Sequence, residues 1–189
     1  MQSKEQRIGV LVDVQNLYYS ARGLYKRRVN FKEVLREAVK GRKLIRAIAY
    51  VIKSDIIKEK SFFDALGKIG YEVKSKDLQI FIGGTKKGDW DIGIAMDAIE
   101  LANKLDTIVI ASGDGDFIQL VQHLRMAFGC RVESMSFGKS TSGKLIEEVD
   151  EFTDLDKNKK FLIKEQPRRE PPKKEQPKRE PPKKEPAKK

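Results

Sequence analysis

Apolar positions along this chain keep two rhythms in turn. Ile8–Asp13 (IGVLVD) is a continuous β-branched run, the pattern of a strand buried on both faces. Phe31–Lys40 places Phe31, Val34, Leu35, Ala38 and Val39 along one side, the spacing of an amphipathic helix. Leu44–Ile52 (LIRAIAYVI) returns to the strand pattern. Residues 58–69 predict a helix around Phe62, Phe63, Leu66 and Ile69, ended by Gly70, and Tyr71–Lys74 a short strand. Further on, the pattern predicts a helix over 89–104, a buried strand over Thr107–Ala111, and a helix over 115–128. A strand over Arg131–Phe137 and a short helix over Ser142–Val149 complete it. Such alternation predicts an α/β fold: a three-layer α/β/α sandwich with a mainly parallel sheet of about five strands.

The alternation ends near residue 155, so residues 1–155 are expected to form one domain. Residues 156–189 are expected to be a disordered basic tail rich in Pro, Lys and Glu. All seven prolines lie at or beyond Pro167, and EQPRREPPKK recurs as EQPKREPPKK and then as the fragment EPAKK. With almost no apolar side chains, such a segment cannot offset the entropy of ordering. It suits an extended arm that holds a polyanion or a protein partner, or one that only aids solubility.

Charge sharpens the choice of partner. The chain carries a net +11. Residues 164–189 hold 11 Lys/Arg and 5 Glu, hence +6, which leaves +5 for the rest. A basic balance favours nucleic acid. One cysteine, Cys130, and one histidine, His123, exclude a disulfide framework, a cysteine zinc site and most multi-histidine sites. Cys130 is expected to be a small core residue and His123 a surface one. No apolar run reaches about 18 residues, so no membrane span is expected, and the reading is of a cytoplasmic protein. A homodimer is compatible with the sequence.

The acidic residues carry the candidate chemistry. In open parallel sheets, ligands gather at the carboxyl ends of the strands. The first strand ends in Asp13, and a later one ends in SGDGDF, which brings Asp114 and Asp116. Converging carboxylates are costly unless a cation neutralises them. Asp89 and Asp91 open the helix expected over 89–104, where helix capping alone would favour them. Asp91, however, heads the small-residue row Ala95, Ala98 and Ala102, which lets the helix lie close to the sheet. Asp97 falls on the polar face. Lys86 and Lys87, in a glycine-rich loop that begins at Gly83, and the cluster Arg22, Lys26, Arg27 and Arg28 are candidate phosphate contacts.

These motifs resemble the NYN domain, a branch of the PIN-like nuclease superfamily that includes LabA-like proteins. The likeness rests on Asp13 with Asn16, then Lys87-Gly88 with Asp91 and Asp97, then Ser112-Gly113-Asp114 with Asp116 and Phe117. It covers about residues 7–150. It implies a PIN-like fold and an acidic pocket for Mg²⁺ or Mn²⁺, with RNA as the substrate of an endoribonuclease. Asp13, Asp91, Asp114 and Asp116 become the metal carboxylates. Asn16 and Asp97 join them as catalytic residues, and Ser112 becomes a substrate contact. Val14 stands where many relatives have glycine. The alternatives are a binding module of the same fold with little catalysis, a nucleotide-sugar transferase using Asp114-Gly115-Asp116, and a phosphatase with Asp13 as nucleophile. The last lacks the second aspartate it would want, since Gln15 occupies that place.

Overall fold

A computed structural model describes residues 4–53, 60–80 and 86–163. In chain order the elements are β1 (Arg7–Asp13), α1 (Val14–Tyr25), β2 (Arg28–Val29), α2 (Phe31–Val39), β3 (Lys43–Lys53), α3 (Lys60–Ile69) and β4 (Glu72–Asp77). There follow β5 (Gln79–Ile80), β6 (Lys86–Lys87), α4 (Asp91–Ala102), β7 (Thr107–Ala111), α5 (Ile118–Phe128), β8 (Arg131–Ser136), α6 (Gly143–Glu148), β9 (Glu151–Asp154) and β10 (Leu162–Ile163). Short 3-10 turns occupy Gly115–Phe117, Gly138–Ser140, Leu155–Lys157 and Lys159–Phe161.

Six strands form one sheet in the order β4-β3-β1-β7-β8-β9. Every pairing in it is parallel. The chain builds outward from β1 to β3 and β4, then returns to the other side of β1 and builds out through β7, β8 and β9. The winding therefore reverses between β1 and β7. The carboxyl ends of strands at such a reversal open a crevice, the usual ligand position in this architecture.

Residues alternate between the two faces along each strand. Val10 and Val12 join the core under α1, α2 and α3, while Leu11 joins the core under α4, α5 and α6. The sandwich thus has three layers, as expected. The sheet's sixth strand, β9 (EFTD), was not expected. It has no apolar run and is only half-buried, as suits a short edge strand. The helix α1 was not expected either. It buries only Val14, Leu17 and Ala21. Packed structure continues past the expected boundary at 155. Leu155 and Phe161 are buried, and β10 pairs antiparallel with β2. The rest of the expected tail lies outside the described residues, as does the first part of the expected glycine-rich loop, up to residue 85. Among the described residues, no helix is long and apolar enough to cross a membrane.

One buried ion pair ties the layers together. Arg42, which follows α2, donates from both terminal nitrogens to Glu133 of β8, at 2.8 and 2.9 Å. It also donates to the carbonyls of Ala38 and Val39. Both side chains are almost wholly buried. Glu133 also accepts from the partly exposed Arg131 Nε at 3.0 Å, but removing Arg42 still takes from its buried carboxylate the two-pronged partner that compensates its burial. We expect Arg42→Met to lower unfolding stability by about 3–5 kcal/mol. Arg42→Met with Glu133→Leu should recover much of that loss, and denaturant titration of the three proteins checks it.

Candidate functional site

The site begins where β1 turns directly into α1. Asp13 is the last residue of the strand and also the N-cap of the helix, so Oδ1 accepts the Asn16 N–H at 3.0 Å. Only 9% of Asp13 is exposed. Asn16 in turn bridges to the neighbouring strand outlet: its Oδ1 accepts the Gly113 N–H at 3.0 Å. Fully buried Ser112 accepts the Asp114 N–H at 3.3 Å, and its hydroxyl faces Asp13 Oδ2 at 3.5 Å. Asp114 then caps its own 3-10 turn, with Oδ1 accepting the Asp116 N–H at 3.0 Å. Phe117, buried at the end of that turn, anchors it in the core.

The third contributor arrives on α4. Trp90 precedes the helix and donates from Nε1 to the Val51 carbonyl at 3.0 Å. Its ring folds back over the first turn, so a Cβ at Gly93 would stand 2.5 Å from Trp90 Cε3, closer than two carbons can approach. Ala98 and Ala102 are buried, and α4 lies close to the sheet as the small-residue row suggests. Asp91 consequently stands at the strand outlets. Asp91, Asp114 and Asp116 each offer a carboxylate oxygen, and these atoms lie within 4.8 Å of one another. Asp13 lies behind them, outside that trio, yet feels their charge. Burial, then repulsion from Asp91 and Asp114, outweighs its hydrogen bonds and pushes its pKa up to about 6. Burial and repulsion from Asp114, Asp89 and Asp116 also raise Asp91, against a pull from Lys76.

Other expected site residues are placed elsewhere. Asp97 is not in the trio; it accepts from Tyr50 Oη at 2.6 Å and pairs with Lys74 at 2.7 Å. Ser112 is fully buried, with its hydroxyl hydrogen-bonded between Asp13 and the Asp114 N–H. Asp89 does not cap α4, whose N-cap is Trp90. Arg22, Lys26, Arg27 and Arg28 gather at the far end of α1 rather than beside the β1 outlet. The backbone of Lys86 and Lys87 forms β6 against β5, while their side chains lie outside the described residues. Lys76 was missed: it reaches over the Trp90 ring at 4.8 Å, and nothing local in the sequence marks it. A recess lined by Gln122, Arg125, Met126 and Cys130 opens at the opposite end of the sheet, where Arg125 already pairs with Glu148 and Asp150.

The donors are all carboxylate oxygens, from two elements, with a fourth carboxylate behind. That set fits a hard divalent cation. Comparison with known proteins finds relatives of this chain. The NYN domain family model matches residues 7–156. The "Low amplitude and bright protein LabA" of Synechococcus elongatus is 28% identical over 181 residues, which cover 90% of this chain and 95% of that protein. A crystal structure of a protein of unknown function from Vibrio parahaemolyticus superposes with a TM-score of 0.77 at 35% identity. The match covers 86% of this chain and all of that one.

The raised pKa of Asp13 has a sign that can be tested without metal. A carboxyl that ionises near 6 when folded, against about 3.9 when unfolded, carries no penalty below about pH 4. Stability is then lost as the pH rises from about 4 through 6, and about 3 kcal/mol has gone by pH 7. In EDTA, Asp13→Asn should therefore gain on the parent protein by about 2–3 kcal/mol between pH 4 and pH 7. Denaturant melts at the two pH values measure this, and a constant difference would refute the assignment.

Proposed function

The chain belongs to the NYN domain family, and from that membership together with its acidic cluster we propose that it is a metal-dependent endoribonuclease. The observation that carries this reading is the meeting of Asp91, Asp114 and Asp116 within 4.8 Å at the point where the sheet's winding reverses. Unneutralised, such a cluster only costs stability; holding a cation gives it a use.

In this reading, Asp91, Asp114 and Asp116 would hold Mg²⁺ or Mn²⁺, with Asp13 as the carboxylate behind them. A bound divalent ion supplies Lewis acidity toward a phosphodiester and neutralises charge that develops on its oxygens. The chain's own residues do the rest. Asn16 locks the β1 outlet to the β7 outlet through Gly113, so the two acidic loops keep one spacing. Ser112 holds Asp114 from below and presents a hydroxyl to Asp13 Oδ2. Asp13 can hold a proton on that carboxylate in the metal-free protein and release it as positive charge arrives. Tyr50 of β3 and Lys74 of β4 hold Asp97 of α4, which gives Asp97 a positioning role for its helix. The buried single cysteine suits a reducing compartment such as the cytoplasm.

The test is cleavage of a 5′-labelled single-stranded RNA by the full chain with Mn²⁺. Asp114→Asn should reduce cleavage to background, and Asn16→Ala should slow it about 10- to 100-fold. Millimolar Mn²⁺ should raise the melting temperature of the parent protein but not of Asp114→Asn. Cleavage indifferent to Asp114 would defeat the proposal. Binding of RNA with no Asp114-dependent cleavage would leave a binding module of the same fold.

A further inference from the structure

Around the acidic site lie two stretches without a single carboxylate. Residues 14–32 contain Arg22, Lys26, Arg27, Arg28 and Lys32 and no Asp or Glu. Residues 138–146 contain Lys139 and Lys144 and likewise no acid. The fold brings these stretches together and joins them to the site by contact. Ser142 N–H donates to the Gly113 carbonyl at 3.0 Å, and a Cβ on Gly113 would stand 2.8 Å from Thr141 Oγ1. The next residue back, Ser140, donates to Ser20 of α1 at 2.8 Å. Beyond it, Lys139 lies over the Tyr25 ring at 5.4 Å. The nearby carboxylate of Asp156 is already engaged, by Tyr25 Oη and by the Lys139 N–H.

The exposed side of α1 adds aromatic surface to this charge. Tyr19 is 50% exposed, and its ring meets Tyr18 edge-on at 5.4 Å. Arg22 donates to Tyr18 Oη at 2.6 Å one helical turn on. Lys26, exposed, closes the helix one turn beyond that. Cations interleaved with open aromatic rings are the pattern that binds single strands, because a single strand offers both phosphates and unstacked base faces. A duplex hides those faces.

We propose that α1 and the turn after β8 form a track for single-stranded RNA that leads into the aspartate cluster. Arg22, Lys26 and Lys139 contact phosphates, and Tyr19 stacks on a base. The track rests on the ribonuclease reading for its purpose, but binding can be measured apart from cleavage.

The experiment uses the full chain, so that residues 164–189 are common to every variant. Fluorescence anisotropy in EDTA compares a fluorescein-labelled 15-nucleotide single-stranded RNA of mixed sequence with the same RNA as a duplex. The single strand should bind at least about ten-fold more tightly. Tyr19→Ala should weaken it about ten-fold, while Tyr19→Trp keeps parental affinity. Arg22→Gln with Lys26→Gln should reduce the slope of log K against log salt by about 1.4, which is about 0.7 per lost phosphate contact on a single strand. Equal or tighter duplex binding overturns the track. So does a Tyr19→Ala affinity within two-fold of the parent, or an unchanged salt slope. If Asp114-dependent cleavage proceeds with an unchanged KM in the Tyr19 and Arg22/Lys26 variants, the track falls and the nuclease stands. If these variants lose binding and no protein cleaves, the track stands and the catalytic assignment falls.

Discussion

Carboxylates repel one another, and this fold drives four of them toward one crevice. Two of the contributing loops follow adjacent parallel strands, and the third approaches from the helix that bridges the two halves of the winding. Nothing in that layout would keep the loops at a fixed spacing by itself. The spacing is held by hydrogen bonds from neutral backbone N–H groups: Gly113 to the Asn16 side-chain oxygen, Asp114 to the Ser112 hydroxyl, Asn16 to Asp13, and Asp116 to Asp114. Behind them, Trp90 clamps the start of α4 against β3. The scaffold therefore bears a repulsion that does not help it fold, a common mark of a functional site.

Much of the fold was legible because its strands are buried on both faces. Runs such as TIVIA and IGVLVD have few other uses, and their order implies crossovers. The elements that escaped notice are those whose apolar signal is weak. β9 reads EFTD and sits on an edge, and α1 hides its helical stripe behind Tyr18, Tyr19 and Arg22. Asp13 compounds the difficulty, since a strand-end aspartate reads as chemistry and here also caps a helix.

The site was legible in its carboxylates and less so in their roles. Asp114 and Asp116 were expected at a strand outlet and Asp91 over it by its row of small residues, and the fold brings the three within 4.8 Å. Asp97 and Ser112 could not be placed from spacing alone. The partner of Asp97 is Tyr50, 47 positions away on a strand, and only the packing of α4 on β3 reveals it. Ser112 was expected as a substrate contact only through the family resemblance, and the chain turns its hydroxyl inward.

The helix α1 has a further property. Its amino end carries Asp13, and its carboxyl end carries Arg22 and Lys26, so its fixed charges complement its own dipole at both ends. The pairing of β10 with β2 then has a bearing on affinity. Ile163 pairs with Arg28, so the last described strand ends beside the cationic end of α1, and the sequence that follows, residues 164–189, carries 11 basic side chains. Were a polyanion to engage both cationic stretches, the second contact would be intramolecular, and two weak grips joined in one chain multiply as avidity.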